Sequence, residues 1–193
     1  MMLTNKYAVL ALALLVPSMA AAHTGDGMTP GLVHGLAHPL GGVDHLLAMI
    51  AVGVIAAHAG GRSLWLLPIS FVGLMLAGSL VALSAIALPM VEGGILLSVV
   101  ALGVMIALGV RMPLLPAIGL VGFFGMFHGY AHGLELAVAS QALGYMAGFA
   151  VTTIALHGSG IMLGRWLRQL PAPVYKLAGA ATASTGLVLA LLS

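Results

Sequence analysis

The chain of 193 residues has no cysteine and very little charge. Without cysteine, disulfides, thiolate metal sites and catalysis by a thiol are all excluded. Only 5% of the residues are charged and 62% are hydrophobic, with a mean hydropathy of +1.19, whereas a soluble domain is about one quarter charged. This composition predicts a membrane protein. The pI near 9.3 rests on only six Lys and Arg residues. So few basic residues indicate how the chain is oriented in the membrane, and they predict no nucleic-acid partner.

The first 22 residues have the pattern of a secretory signal peptide. Lys6 supplies the positive end, YAVLALALLV is an apolar core, and PSMAAA places Ala20 and Ala22 at the small-residue positions of a cleavage site. We expect cleavage after Ala22, which makes His23 the new N-terminus. The alternative is an uncleaved signal anchor.

The remaining residues, 23–193, are predicted to form one all-α membrane domain, a six-helix transmembrane bundle. Short polar breaks separate six apolar runs, each close to the roughly 20 residues that a helix needs to cross the hydrocarbon core. PLGG, from Pro39 to Gly42, is a helix breaker within the first run, so that span is expected to be interrupted. The predicted spans are about 33–58, 64–88, 93–110, 114–137, 141–163 and 174–192.

The charges predict how the bundle lies in the membrane. With the mature N-terminus outside, every basic residue after the signal falls in an inner connection or at the inner end of a span, as the positive-inside rule requires. These residues are Arg62, Arg111, Arg165, Arg168 and Lys176. The acids lie outside or within the spans. We therefore expect a multi-pass protein of the bacterial inner membrane, with both mature termini in the periplasm.

Two histidine-rich segments interrupt the apolar pattern. HGLAHPLGGVDH at the start of the first span carries His34, His38, Asp44 and His45. Asp44 could also be read as an ordinary helix N-cap. The segment enters from outside, so it should lie in the outer half of the membrane.

The second segment, FHGYAHGLE, ends the fourth span and carries His128, His132 and Glu135. On a helix these three residues share one face. The fourth span runs from inside to outside, so this segment should also reach the outer half of the membrane. We therefore expect the two segments to meet. The glycines at 125, 129 and 133 indicate close packing of this span against a neighbour, for which the first span is the expected partner.

Imidazole and carboxylate groups together suit divalent transition metals. Asp44 and Glu135 would supply two negative charges, and the spans hold no Lys or Arg to pair with them apart from Lys176 at the inner end of the last span. Hydrogen bonding between helices and a proton relay are the alternatives for these groups.

His23, near Asp26, could chelate an ion through its α-amine and imidazole. His157, in the fifth span, is interpreted as structural, with a place on an exit path as the alternative.

The segments HPLGGVDHLLAMIAVG and FHGYAHGLE resemble the HupE/UreJ family of hydrogenase and urease accessory membrane proteins. The resemblance covers nearly the whole chain. It places the family's motifs on His38, Asp44 and His45 and on His128, His132 and Glu135. It implies uptake of nickel(II), or of cobalt(II) in some members, without ATP. The chain accordingly lacks a phosphate-binding GxxxxGK[ST] loop.

The sequence thus predicts a permease rather than an enzyme, with the metal ion and the lipid bilayer as partners and no organic cofactor. A homo-oligomer is one option for the assembly. Two other classes stay open, namely a membrane metalloenzyme with a catalytic zinc and a scaffold or sensor that binds metal without passing it. Zinc also stays open as the transported ion. The candidate ligands are His23, His34, His38, Asp44, His45, His128, His132 and Glu135.

Overall fold

The computed structural model describes residues 31–84, 86–135 and 142–193. This part of the chain is helical throughout, apart from short connections. The helices are α1 (Gly31–Ala37), α2 (Val43–Ala59), α3 (Ser63–Leu83), α4 (Val91–Leu108), α5 (Leu114–Leu134), α6 (Ala142–Leu167) and α7 (Ala172–Leu192), with a short 3-10 helix (His38–Leu40) between α1 and α2. The predicted signal peptide and His23 lie outside the described residues.

Five helices, α3 to α7, are long and apolar enough to cross a membrane. The predicted first span is instead a broken pair, in which the segment Gly31–Leu40 is bent by 80° from α2. If this pair counts as one span, the total is six. The predicted all-α membrane fold is therefore confirmed, and so is the interruption between Pro39 and Gly42.

The helix ends differ from the predicted bounds where a local feature outweighs hydropathy. The second predicted span extended to 88, but α3 ends at Leu83. Pro89 disfavours the α conformation in Leu88, the last residue of the predicted span. The fifth was predicted to end at 163, but α6 continues to Leu167 and carries Arg165 in its last turn, where a positive charge is favourable. Gly109 ends α4 with a φ of 63°, a conformation that glycine adopts at little cost.

The glycine stripe of α5 packs against α3, so the expected pairing with the first span is wrong. A Cβ placed on Gly125 or Gly129 would collide with the backbone carbonyl of Phe71 or Met75. The hydroxyl of Ser79 also donates a 2.8 Å hydrogen bond to the Gly129 carbonyl. Glycine on one side lets the two backbones touch. The face of α5 that carries histidines is left free to meet α2.

The broken pair packs against α6 instead. A Cβ on Gly148 would collide with the backbone of α1 at Leu32, and one on Gly160 would collide with the backbone of α2 at Ile50. The hydroxyl of Thr152 donates a 2.8 Å hydrogen bond to the carbonyl of Leu36. α6 therefore holds both halves of the broken pair, and so fixes where the first histidine segment lies.

Charge is divided between the two ends of this bundle. At what we call the basic end, the guanidinium of Arg168 donates a 3.0 Å hydrogen bond to the carbonyl of Ala57, near the end of α2. The described Lys and Arg residues all lie in the connections at this end or next to them. The opposite, acidic end carries Asp44, Glu92 and Glu135, where α2 and α4 begin and α5 ends.

Candidate metal site

The two histidine segments meet at His132. Its ring centroid lies 4.8 Å from that of His38 and 4.9 Å from that of His45. The His45 ring in turn lies 4.9 Å from the His128 ring. Four histidines from α5 and from the broken pair therefore form one continuous cluster near the acidic end, as the spacing predicted.

The break in the first span brings His38 and His45 to the same ring. On an unbroken helix, residues seven apart are separated by about 10 Å along the axis. Here the chain turns by 80° at Gly41 and Gly42, so the His38 ring and the His45 ring approach His132 from two directions. Gly42 is the N-cap of α2. The alternative interpretation of Asp44 as the N-cap is therefore wrong.

Asp44 lies in the first turn of α2 and orients His45. One carboxylate oxygen accepts the backbone N–H of His45 at 2.7 Å and is 2.9 Å from Nδ1 of the same residue. A carboxylate can only accept, so Nδ1 carries the proton and Nε2 keeps its lone pair. This Nε2 is buried and has no hydrogen-bond partner among the described residues. A carboxylate that fixes the tautomer of a histidine in this way is typical of metal ligands.

His128 presents its ring in the same manner. Its Nδ1 donates a 2.9 Å hydrogen bond to the carbonyl of Phe124, one turn back on α5. Nε2 therefore carries the lone pair, and the structured residues offer it no partner. The side chain is fully buried. An unpaired polar atom in such a place is costly, and a bound cation would remove that cost.

His132 is also fully buried, and neither of its ring nitrogens meets a hydrogen-bond partner within residues 31–84, 86–135 and 142–193. The ring stacks on Phe149 of α6, with the centroids 4.8 Å apart and the planes at 23°. Stacking fixes the plane of the ring while leaving both nitrogens available. Of the clustered histidines, this one is the best placed to bind an ion shared by the two segments.

Glu135 caps the cluster at the acidic end of the bundle. Its carboxylate lies 2.5 Å from Nε2 of His38. His38, His132 and Glu135 each offer one ligand atom, and these three atoms lie within 4.8 Å of one another. The Glu135 side chain is 52% exposed and that of His38 is 25% exposed. Glu135 and His38 therefore reach the surface, while His132 and His128 lie at the buried end of the cluster.

His34 and Tyr145 extend the cluster outward. The exposed His34 ring lies 5.8 Å from the His38 ring and 5.3 Å from the ring of Tyr145, centroid to centroid. Tyr145 is 2% exposed, and its hydroxyl has no hydrogen-bond partner in the described segments. Tyr145 is not among the residues predicted from the sequence. The signal for it is the spacing of four between Tyr145 and Phe149, which places both on one face of α6.

The carboxylates of the cluster pair only with histidines. Within the described residues, Asp44 contacts His45 and Glu135 contacts His38, and neither forms an ion pair with Lys or Arg. Two negative charges close to several neutral imidazoles would balance one divalent cation. Imidazole and carboxylate ligands also match the preferences of nickel, cobalt and zinc.

His58 lies at the other end of the protein and takes no part in the cluster. Its Nε2 lies 3.3 Å from the carbonyl of Gly109, and its ring stacks on Tyr175 at 5.2 Å. It therefore joins α2, α4 and α7 at the basic end.

Comparison with known proteins decides the family. The model of the family described as HupE / UreJ protein matches residues 10–189. The chain belongs to the HupE/UreJ family. Protein HupE of Rhizobium leguminosarum bv. viciae is 44% identical over 179 residues, which cover 92% of this chain and 93% of that protein. No solved structure matches the chain. The resemblance drawn from the two histidine segments is thus confirmed over nearly the whole length of this HupE/UreJ protein.

Proposed function

We propose that this HupE/UreJ protein carries a divalent transition-metal ion, nickel(II), across the bacterial inner membrane and so supplies hydrogenase or urease. The observation that carries the proposal is the cluster around His132. Two segments about ninety residues apart contribute four adjoining histidines and two carboxylates to it. Ionisable groups within membrane spans are costly, and they indicate function by default.

The geometry supports stepwise replacement of the water bound to the ion. Glu135 and His38 are exposed enough to meet a hydrated ion first. His132, which adjoins both His38 and His45, would then pass the ion towards the buried Nε2 of His128. Each step exchanges water for nitrogen or oxygen ligands. Asp44, beside His45, supplies negative charge to the cluster.

The membrane potential supplies a driving force without ATP. A divalent ion that moves inward gains on the order of 4–5 kcal/mol per 100 mV of inside-negative potential. The separation of basic and acidic residues between the two ends supports an orientation with the acidic end in the periplasm. We accordingly place both mature termini in the periplasm, with residues 23–193 as the membrane domain after removal of the signal peptide.

Membership of the family supports nickel as the ion, with cobalt(II) or zinc(II) as rivals, because imidazole and carboxylate ligands alone would accept all three. Two other classes of function use the same cluster. A metalloenzyme would need an open coordination position and a pocket for a substrate. A scaffold or sensor would bind the ion but release it on the side from which it came.

Flux of radiolabelled nickel into proteoliposomes tests the proposal and separates these classes. The permease predicts accumulation that follows an inside-negative potential and that cobalt reduces more than zinc. Asp44→Ala and Glu135→Ala should each lower this flux to that of empty liposomes while the protein still inserts. Binding of nickel without flux would indicate a scaffold or sensor. Wild-type flux in both variants would contradict the proposed site.

His23 is proposed as an additional capture group at the new N-terminus. An α-amine and an imidazole on one residue form a chelate, which would matter only when the metal is scarce. His23→Ala should therefore raise the apparent KM for nickel and leave the maximal rate unchanged. An unchanged apparent KM would remove His23 from the set of ligands.

A further inference from the structure

Below the histidine cluster, three helices continue with side chains at matching depths. On α2, Met49 follows His45 by one turn. On α6, Thr153 follows Phe149 and His157 follows Thr153, each by one turn. Residues four apart on a helix share a face, so these side chains line one column that leads from the cluster towards the basic end. Met75 of α3 completes the first layer of this column.

One hydroxyl and two thioether sulfurs, all possible metal ligands, meet in that layer. The hydroxyl of Thr153 lies 3.5 Å from the sulfur of Met49 and 3.7 Å from the sulfur of Met75. All three side chains are fully buried. The hydroxyls of Ser159 and Thr182 donate instead to the carbonyl four residues back, which is the usual local bond of a hydroxyl in a helix. The Thr153 hydroxyl therefore turns away from its own helix and faces two thioethers.

His157 occupies the next turn. It is 1% exposed, and neither of its ring nitrogens has a hydrogen-bond partner in the parts of the chain that the structure describes. The Phe71 ring lies 5.1 Å from the His157 ring and 5.2 Å from the His128 ring. The two histidines thus both contact one phenylalanine ring. A buried imidazole with two unpaired nitrogens is costly as pure packing, and a ligand would remove this cost.

The column does not end in solid packing at His157. This residue lines an apolar groove of about 440 Å³ between α3 and α6, which is open to the exterior beside the exposed Trp65 and Ile154 and reaches Leu64 and Pro68. Proline has no N–H, so the carbonyl of Leu64 lacks its usual helical donor. Leu64 belongs to the first turn of α3, next to Arg62 at the basic end. The groove therefore runs from His157 towards that end of the bundle.

We propose that the sulfurs of Met49 and Met75, the hydroxyl of Thr153 and the imidazole of His157 form a second, weaker station for the transported ion. This inference rests on the proposed function and extends it inward. None of the four ligands carries a charge, so they hold a cation less firmly than a cluster with two carboxylates does. An ion must bind well enough to enter a site and weakly enough to leave it. A neutral station after a charged one satisfies the second condition.

The absence of cysteine provides a clean signature. Any sulfur that coordinates a metal in this chain must be a thioether. Full-length protein loaded with two equivalents of Ni²⁺ should therefore show a sulfur scatterer in its X-ray absorption spectrum. The Met49→Leu, Met75→Leu double variant should lose it. Met105→Leu, which changes a buried methionine of α4 outside the column, is the matched control and should keep it.

Transport gives the second readout. The double variant should take up nickel about tenfold more slowly, since even an outer partner of a metal ligand is worth that much. Its affinity for the first equivalent of nickel should stay the same, because the histidine cluster is intact. Thr153→Val and His157→Leu should slow uptake in the same way, and Thr182→Val should not.

The outcomes separate this inference from the proposed function. Suppose that the wild type transports nickel without a sulfur scatterer, and that the double variant takes up nickel at the full rate. That result would contradict the second station and leave the proposed transport function supported. A sulfur signal that is lost only in the double variant supports the station, even if the wild type shows no flux. In that case only the proposed transport function would be wrong.

Discussion

The two histidine segments look alike in sequence but differ in conformation. HGYAHGL lies on the unbroken helix α5, whereas HGLAHPL runs through α1 into a 3-10 helix and a bend of 80°. The histidines of α5 are fully buried, while the side chains of His38 and His45 are 25% and 15% exposed. One segment thus holds fully buried imidazoles, and the other holds partly exposed ones.

This difference shows what a broken helix adds to a site. A straight helix presents its ligands in a line along one face, so it can approach a given point from one direction only. The break lets a single segment place His38 and His45 on two sides of His132. The rigid segment needs close packing on its far side, and the glycines against α3 provide it.

The largest effect is expected from the residue that both segments share. His132→Phe keeps an aromatic ring that can stack on Phe149 but removes both nitrogens. Uptake of nickel should fall to background while the yield of folded protein is unchanged. His58→Phe, at the basic end, is the control and should retain most of the uptake. Substantial uptake by His132→Phe would mean that the segments do not share an ion.

The close packing of α5 against α3 can be tested by adding a methyl group where the two helices meet. A Cβ at Gly129 would collide with the backbone carbonyl of Met75, whereas one at Gly119 meets no atom within 4 Å. Gly129→Ala should lower the Tm and the uptake, because overpacking costs about 1–3 kcal/mol. Gly119→Ala should leave both close to wild type. Equal Tm values for the two variants would argue against this packing.

The break itself can be tested with two adjacent glycines. A Cβ at Gly42 would lie 2.6 Å from a carboxylate oxygen of Asp44 and 3.0 Å from Nδ1 of His45, while a Cβ at Gly41 would come no closer than 3.3 Å to the His38 carbonyl. Gly42→Ala should displace the pair formed by Asp44 and His45 and weaken nickel binding about tenfold, as loss of a partner of a ligand does. Gly41→Ala should bind nearly as wild type. If Gly41→Ala weakened nickel binding more than Gly42→Ala did, the pair formed by Asp44 and His45 would not position the site.

The smallest effect is expected at the exposed edge. His34 contacts His38 and Tyr145 but lies outside the group formed by His38, His132 and Glu135. His34→Ala should raise the apparent KM for nickel about two- to threefold without a change in maximal rate, since a solvated group adds little affinity. A lower maximal rate in the uptake assay would instead place His34 on the path of the ion.

Much of this structure could be predicted because lipid imposes simple rules. Span lengths and the break at Pro39 and Gly42 follow from hydropathy and helix chemistry, and the spacing of the histidines fixed their faces. The partner of α5 could not be predicted, because small residues on a helix indicate close contact without saying with what. Tyr145 and Thr153 were missed because aromatic and hydroxyl residues in an apolar span are usual, and only their contacts with histidines and thioethers mark them.

Equilibrium titration of the purified protein with Ni²⁺ tests the central claim most directly, namely that the two segments hold one ion together. The wild type should bind a first equivalent tightly. His38→Ala, in the broken segment, and His132→Ala, in the unbroken one, should each weaken that same equivalent at least about tenfold. If either variant binds the first equivalent as tightly as the wild type does, the ion is not shared and the account is contradicted.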